Sequence, residues 1–157
     1  MPMEYSNRGL PNFGSTCYVN SAIQLLFSTR HFMPALETAY MSNVATANLI
    51  EQTGFTLVTS SFLLCARYTN IVHAYPISEN ITTKEDALSY FIDNVSKRNR
   101  LFQKCSGQQS SAEYICFLLH LLRTEAILVK EYAINQKDSF ELTLHDIEQR
   151  YNEFLSI

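Results

Sequence analysis

A chain of 157 residues is of the size at which one compact domain is expected, and it is long enough to bury a hydrophobic core. Hydrophobic residues make up 46% of the chain and charged residues 17%, which excludes the apolar-poor, charge-rich composition of disordered proteins. The net charge is -3 and the basic residues are scattered, so the composition excludes a basic surface for nucleic acid, and we expect no nucleic-acid partner.

No apolar run approaches the roughly 20 residues that span a bilayer, and the first residues lack the pattern of a signal peptide. The sequence therefore predicts an intracellular protein, cytoplasmic or nuclear, with no membrane partner. The cysteines are far apart and form no C-x-x-C pair, which fits a reducing compartment and predicts neither a zinc site nor a disulfide framework. We expect no metal, no cofactor and at most one reactive thiol among Cys17, Cys65, Cys105 and Cys116.

The spacing of the apolar residues is mostly helical and predicts a mainly α fold. A helix is predicted at about Cys17 to Thr29, because an apolar stripe with helical period runs along one face. The residues of this stripe are Val19, Ile23, Leu26 and Phe27. The next apolar segment, roughly Ala45 to Arg67, is expected to join the core, and Gly54 is a candidate break within it.

Two capping patterns predict further helices, since a hydroxyl three residues before a glutamate satisfies free amide groups at a helix start. Thr82 and the glutamate after it predict a helix near Thr83 to Arg98. Ser110 and Glu113 predict a helix near Ser111 to Glu125.

The remaining C-terminal part has two different patterns. The stretch Ile127 to Leu142 is less regular, and we expect a short strand or an extended turn there. From Leu144 onward the apolar spacing is again helical and predicts a final helix to the end of the chain.

Cys17 lies at the first turn of its predicted helix, behind a loop that contains Gly9, Pro11 and Gly14. Free amide groups and the helix dipole stabilise a thiolate there, and such cysteines titrate below the free value of about 8.5. Cys17 is therefore the candidate nucleophile, and the Asn12 side chain is placed to donate to an oxyanion beside the Cys17 N–H. The alternative is that Cys17 is a small buried hydrophobe at a helix start.

The residues around Cys17 favour the nucleophile. The segment Gly9 to Gln24 resembles the cysteine box of the ubiquitin-specific proteases, G-L-x-N-x-G-x-T-C-Y-x-N-S-x-x-Q, at all ten fixed positions. The segment Gln108 to Ile115 is similar to the family's Q-Q-D-A-x-E-F-L box, but Ser110 stands where the family has Asp, and Ser111 where it has Ala. Taken alone, this second segment is better explained as a capped core helix. Together with the cysteine box, the resemblance implies the thumb helix that flanks the family's active-site cleft.

The resemblance implies a cysteine-type deubiquitinase, a peptidase that hydrolyses the bond after the C-terminal glycine of ubiquitin. It implies the helical, thumb-like part of a papain-like cysteine protease fold, with ubiquitin or a ubiquitinated protein as partner. In that scheme Cys17 is the nucleophile and Asn12 contributes to the oxyanion hole. Residues 1–157 are expected to form a single thumb domain, incomplete relative to the family, in which palm and fingers are not evident.

The source of the general base is open, because no histidine lies in a sequence like the family's histidine box: His31, His73, His120 and His145. Either the chain is part of a deubiquitinase that is weakly active alone, or it is a non-catalytic ubiquitin-binding or scaffold module. A third alternative is an unrelated helical interaction domain. A thumb without its palm exposes apolar surface, which predicts self-association or a complementary chain. The helices that carry the two motifs are expected to pack side by side.

Overall fold

A computed structural model describes residues 17–99, 102, 110–135 and 142–156, with the backbone alone at Cys17. Seven α-helices account for most of these residues, and no strand occurs among them. The helices are α1 (Cys17–Ser28), α2 (Phe32–Ser42), α3 (Val44–Gln52), α4 (Val58–Tyr68), α5 (Lys84–Ser96), α6 (Ser111–Asn135) and α7 (Leu144–Leu155). The prediction of a mainly α fold is confirmed.

Two helices organise the core. The long helix α6 packs against α1, α3, α4 and α7, whereas α4 packs most extensively against α5. Every residue from Val58 to Ala66 is buried, so α4 is enclosed on all sides. A helix that is buried all round is a core helix rather than an amphipathic surface helix. Helix α4 is therefore the centre around which the other elements are arranged.

The predicted break at Gly54 separates α3 from α4. Gly54 has φ of 98°, a backbone conformation that costs glycine little and other residues much. Helix α2 was not predicted from the sequence. It buries only Met33 and Tyr40, which is too sparse an apolar pattern to be recognised without knowledge of its neighbours.

The predicted end of α6 at Glu125 is wrong, because the helix continues to Asn135. The strand or extended turn expected over Ile127 to Leu142 is therefore also wrong as far as residue 135, and residues 136–141 lie outside the described residues. The physical reason is that the buried stripe continues through Leu128 and Tyr132, in the part of α6 that extends beyond the predicted end.

The start of α5 differs from the prediction by one residue. Thr83, not Thr82, has extended backbone and accepts a hydrogen bond from the Asp86 N–H at 3.1 Å. Helix α7 begins in the same way, with the Asp146 N–H donating to the Thr143 hydroxyl at 3.2 Å. Both helices therefore use a threonine N-cap, which satisfies one of the free amides of the first turn.

Helix α4 has no N-cap side chain of its own, since its N-cap residue is Leu57. A distant carboxylate takes that role. Glu125 of α6 accepts hydrogen bonds from the N–H groups of Val58 at 2.8 Å and Thr59 at 2.7 Å, and from the Thr59 hydroxyl at 2.7 Å. The Tyr151 hydroxyl of α7 donates to the same carboxylate at 2.6 Å. One buried glutamate thus joins α4, α6 and α7.

Candidate functional site

The two helices that carry the motifs begin beside each other. The Ser111 hydroxyl, at the first residue of α6, donates to the Tyr18 carbonyl of α1 at 3.2 Å. The Tyr18 and Tyr114 rings meet edge to face, with centroids 5.5 Å apart. Both tyrosines are buried, and Phe102 packs on Tyr114 with centroids 5.0 Å apart. The prediction that the helices starting near Cys17 and Ser110 pack side by side is confirmed.

Ser110 lies at the start of α6 and is exposed. Its hydroxyl accepts a hydrogen bond from the Glu113 N–H at 3.4 Å, as the capping pattern predicts. Serine and aspartate are equally good N-caps, so the serine keeps the helix start and removes only the negative charge. The difference from the family pattern is therefore electrostatic rather than structural.

Helix α1 has Cys17 as its first residue, with Tyr18 and Val19 buried directly after it. At this position the Cys17 backbone lies at the positive end of the helix dipole. Asn12 and the pair Gln108 and Gln109 lie outside the described residues. The roles of Cys17 as nucleophile and Asn12 in an oxyanion hole remain predictions.

The other cysteines have clearly different surroundings. Cys65 is completely buried in α4, and burial raises the pKa of its thiol well above the ordinary value. A thiol in that setting stays protonated and is inert as a nucleophile. Cys116 is exposed on α6, and Cys105 lies outside the described residues. Cys116 is thus a natural internal control for the reactivity of Cys17.

Two histidines lie well away from the paired helix starts. His31 follows the C-terminal end of α1, which is about 17 Å along the helix from Cys17. His120 lies roughly 14 Å along α6 from Ser111. The His120 ring is also engaged, since Nε2 lies 2.9 Å from the Leu155 carbonyl oxygen. Neither histidine is positioned to accept a proton from a thiol at the start of α1.

The other two histidines are exposed. Helix α7 runs antiparallel to α6, because Tyr151 meets Glu125 whereas Leu155 meets His120. His145 therefore lies beside the C-terminal part of α6, at the opposite end from Ser111. His73 lies in the segment after α4, where the next two backbone amides are bound to Glu37. No described histidine is thus part of the paired helix starts.

Sequence reasoning missed the buried carboxylates at the start of α4. Glu125 falls on the apolar stripe of α6, between Leu121 and Leu128, and a glutamate at such a position indicates a buried polar contact. Burial raises the pKa of this carboxyl group, while the hydrogen bonds that it accepts act in the opposite direction. The second indication was Leu57, an apolar residue at an N-cap, which requires a cap from elsewhere.

Among the described residues, no three His, Cys, Asp or Glu side chains converge as metal ligands would. None of the helices in the described part of the chain is long and apolar enough to cross a membrane.

No curated protein and no solved structure is significantly similar to this chain. A family model described as ubiquitin carboxyl-terminal hydrolase matches residues 8–152, which is most of the chain and includes both motif segments. The helical architecture of the described residues agrees with a thumb-like part of the papain-like fold. The chain therefore belongs to the ubiquitin carboxyl-terminal hydrolase family.

Proposed function

We propose that this chain is a cysteine-type deubiquitinase domain in which Cys17 is the nucleophile. The observation that carries the proposal is the pairing of α1 with α6 through Ser111 and Tyr18, because it joins the two segments that resemble the family's motifs. Membership of a ubiquitin hydrolase family supplies the substrate class, namely ubiquitin attached to a protein. The chemistry follows from a thiolate at a helix N-terminus.

In the proposed reaction, the Cys17 thiolate attacks the carbonyl carbon of the C-terminal glycine of ubiquitin. The negative charge moves to the carbonyl oxygen, where the Asn12 side chain and the Cys17 N–H donate hydrogen bonds. The C–N bond then breaks, and the amine leaves with a proton from a general acid. Water hydrolyses the resulting thioester and restores the thiol. The proposed reaction requires a general base for the thiol and the attacking water, and none of the described histidines lies at the paired helix starts.

A ubiquitin with a thiol-reactive C-terminal group tests the nucleophile directly, because labelling needs no protonated leaving amine. We expect slow labelling of the 157-residue chain and complete loss of labelling in Cys17→Ala. The matched control is Cys116→Ala, which removes an exposed cysteine and should leave the labelling unchanged. Labelling that persists in Cys17→Ala would contradict the assignment.

A second function is a non-catalytic ubiquitin-binding module, favoured by the engagement of His120 with the Leu155 carbonyl. The two functions differ in one measurement on the same chain. A scaffold module binds unmodified ubiquitin in an NMR titration but is not labelled by the reactive ubiquitin. A deubiquitinase domain is labelled at Cys17.

The proposed nucleophile also requires a compartment in which a thiol stays reduced. We therefore place the activity in the cytoplasm or the nucleus.

A further inference from the structure

A second candidate site is a cavity of about 490 Å³ at the junction of α3, α4, α5 and the segment that joins α4 to α5. Its volume falls within the range of pockets that hold small ligands or side chains. The lining combines one carboxylate, Glu51, with several hydroxyl groups and an apolar wall. No lysine or arginine is among the described residues that line it.

The wall contributed by the joining segment is fixed by hydrogen bonds. The N–H groups of Ala74 and Tyr75 both donate to the Glu37 carboxylate of α2, at 2.9 Å and 2.8 Å. Arg67 Nε donates to the Tyr75 carbonyl at 3.1 Å, and the Tyr68 hydroxyl bonds the Ile81 carbonyl. The cavity is therefore preformed rather than a gap beside a loose loop.

Glu51 is the charged group of this cavity and has no cationic partner among the described residues. Its Oε2 accepts hydrogen bonds from the Ser60 hydroxyl at 2.8 Å and the Leu57 N–H at 3.2 Å. None of the ion pairs among the described residues involves this carboxylate. A carboxylate that lines a cavity without a neighbouring cation is a counter-ion for a cationic group that enters the cavity.

The local field also favours a cation. The start of α4 carries a partial positive charge of about half a unit, but two carboxylates, Glu51 and Glu125, accept its amide hydrogen bonds. Burial raises the pKa of Glu51, and the nearby Glu125 acts in the same direction. The negative charge at this helix start therefore exceeds the positive charge.

The other walls of the cavity suit a ligand that carries a cationic group at the end of an aliphatic chain. Tyr75 and Tyr90 both line the cavity, and aromatic rings attract cations. Leu64, Ile77 and Ile81 form an apolar wall along which methylene groups can pack. A primary ammonium group would meet the Glu51 carboxylate, with its aliphatic stem along that wall.

We propose that this cavity binds a lysine side chain, with the ammonium group paired to Glu51. The ligand is either a small amine with the same chemistry or a lysine on a partner protein. Binding in this cavity does not depend on hydrolysis, so the Cys17→Ala variant should bind the amine ligand with the same affinity as the parent chain.

Isothermal titration of the 157-residue chain with Nα-acetyl-lysinamide, a lysine-containing peptide and their Nε-acetylated forms tests the proposal. We expect both charged ligands or the peptide alone to bind, whereas the acetylated forms, which lack the charge, should bind at least tenfold more weakly. Binding of both identifies a site for amines in general, and binding of the peptide alone identifies a protein partner. Equal binding of charged and acetylated ligands, or no binding of either charged ligand at millimolar concentration, would overturn it.

Glu51→Gln keeps the size and the acceptor oxygen but removes the charge, so it should weaken binding at least tenfold. The control is Glu79→Gln, an exposed neighbour that removes equal charge without lining the cavity. Tyr90→Ala is a second variant, in case Glu51→Gln fails to fold, and should weaken binding about threefold through loss of the ring. Unchanged affinity in a folded Glu51→Gln chain, or in Tyr90→Ala, contradicts the assignment.

Discussion

At the scale of single residues, two fully buried tyrosines differ in whether their hydroxyl groups make a hydrogen bond. Tyr114 and Tyr151 are both fully buried. The Tyr151 hydroxyl donates to Glu125, whereas the Tyr114 hydroxyl makes no hydrogen bond in the described part of the chain. Removing a hydroxyl bonded to a carboxylate costs more than removing one that is buried without a partner.

The substitution Tyr151→Phe is therefore expected to lower the free energy of unfolding by about 1.5 to 3 kcal/mol. The same substitution at Tyr114 should leave it unchanged or raise it by about 1 kcal/mol, since an unsatisfied buried group is removed. Urea unfolding of both variants measures the difference. A larger loss in Tyr114→Phe than in Tyr151→Phe would show that the hydrogen bonding is misassigned.

The raised pKa of Glu51 predicts how the free energy of unfolding depends on pH. Burial raises its pKa above the unfolded value of 4.5, although its hydrogen bonds from Ser60 and Leu57 act in the opposite direction. Between the two pKa values the folded chain therefore binds more protons than the unfolded chain. The contribution of Glu51 to the free energy of unfolding accordingly falls as the pH rises through the folded pKa. The Ser60 hydroxyl, the Leu57 N–H and the Glu125 carboxylate act on this carboxyl group, and its own charge raises the pKa values of Tyr40, Tyr75 and Tyr90.

Unfolding free energies of the parent chain and Glu51→Gln should accordingly diverge with pH. The free energy of unfolding of the parent chain should rise relative to that of the variant as the pH is lowered from 8 toward 4.5, the pKa of the carboxyl group in the unfolded chain. Urea titrations across that interval provide the measurement. A relative loss of parent stability on acidification would mean that the pKa is lowered instead.

At the scale of secondary-structure elements, apolar stripes and capping residues in the sequence predicted the helices that carry these features themselves. Helices α1, α5 and α7 were predicted because their apolar stripes are regular, and α5 also carries its own cap. Helix α2 was missed because it buries too few apolar residues to give a recognisable stripe, and the C-terminal part of α6 was missed because its apolar spacing is less regular. The pairing of α1 with α6 was predicted from the motifs, whereas the distant cap of α4 has no local pattern.

The turn between α3 and α4 depends on a backbone conformation rather than on packing. A Cβ at position 54 would meet only the Leu144 Cδ2 atom at 3.8 Å, which is ordinary contact. Gly54→Ala should nevertheless lower the free energy of unfolding by about 1 to 2 kcal/mol, because φ is 98°. Gly54→Asn should cost less, since asparagine adopts positive φ more readily. Thermal unfolding of both variants checks the order.

At the scale of the whole molecule, the described residues form one continuous set of helix contacts, but no described histidine belongs to the paired helix starts. The mainly α fold could be predicted because the apolar residues have helical spacing, and the family because ten positions around Cys17 match one pattern. Asn12 lies outside the described residues, and its role in the oxyanion hole remains a prediction. The general base could not be predicted, since no local pattern identifies it.

We therefore expect little or no hydrolysis of diubiquitin by the purified 157-residue chain. General acid–base catalysis contributes about 10² to 10⁴ in rate, and a thiol without a base lacks that contribution. Gel analysis of diubiquitin over hours, with Cys17→Ala as control, gives the measurement. Rapid cleavage that is lost in Cys17→Ala would require one of the four histidines to act as base.

The cap of α4 also bears on when this core can form during synthesis. The carboxylate that accepts the Val58 N–H hydrogen bond lies 67 positions later in the chain. Until Glu125 has left the ribosome, the Val58 and Thr59 amides can donate only to water, so this helix start cannot be buried as it is in the folded core. Once α6 has docked, the Val58 and Thr59 amides become inaccessible to solvent except through opening of the whole core. Their exchange with deuterium should therefore be among the slowest in the chain and report the stability of the core as a unit.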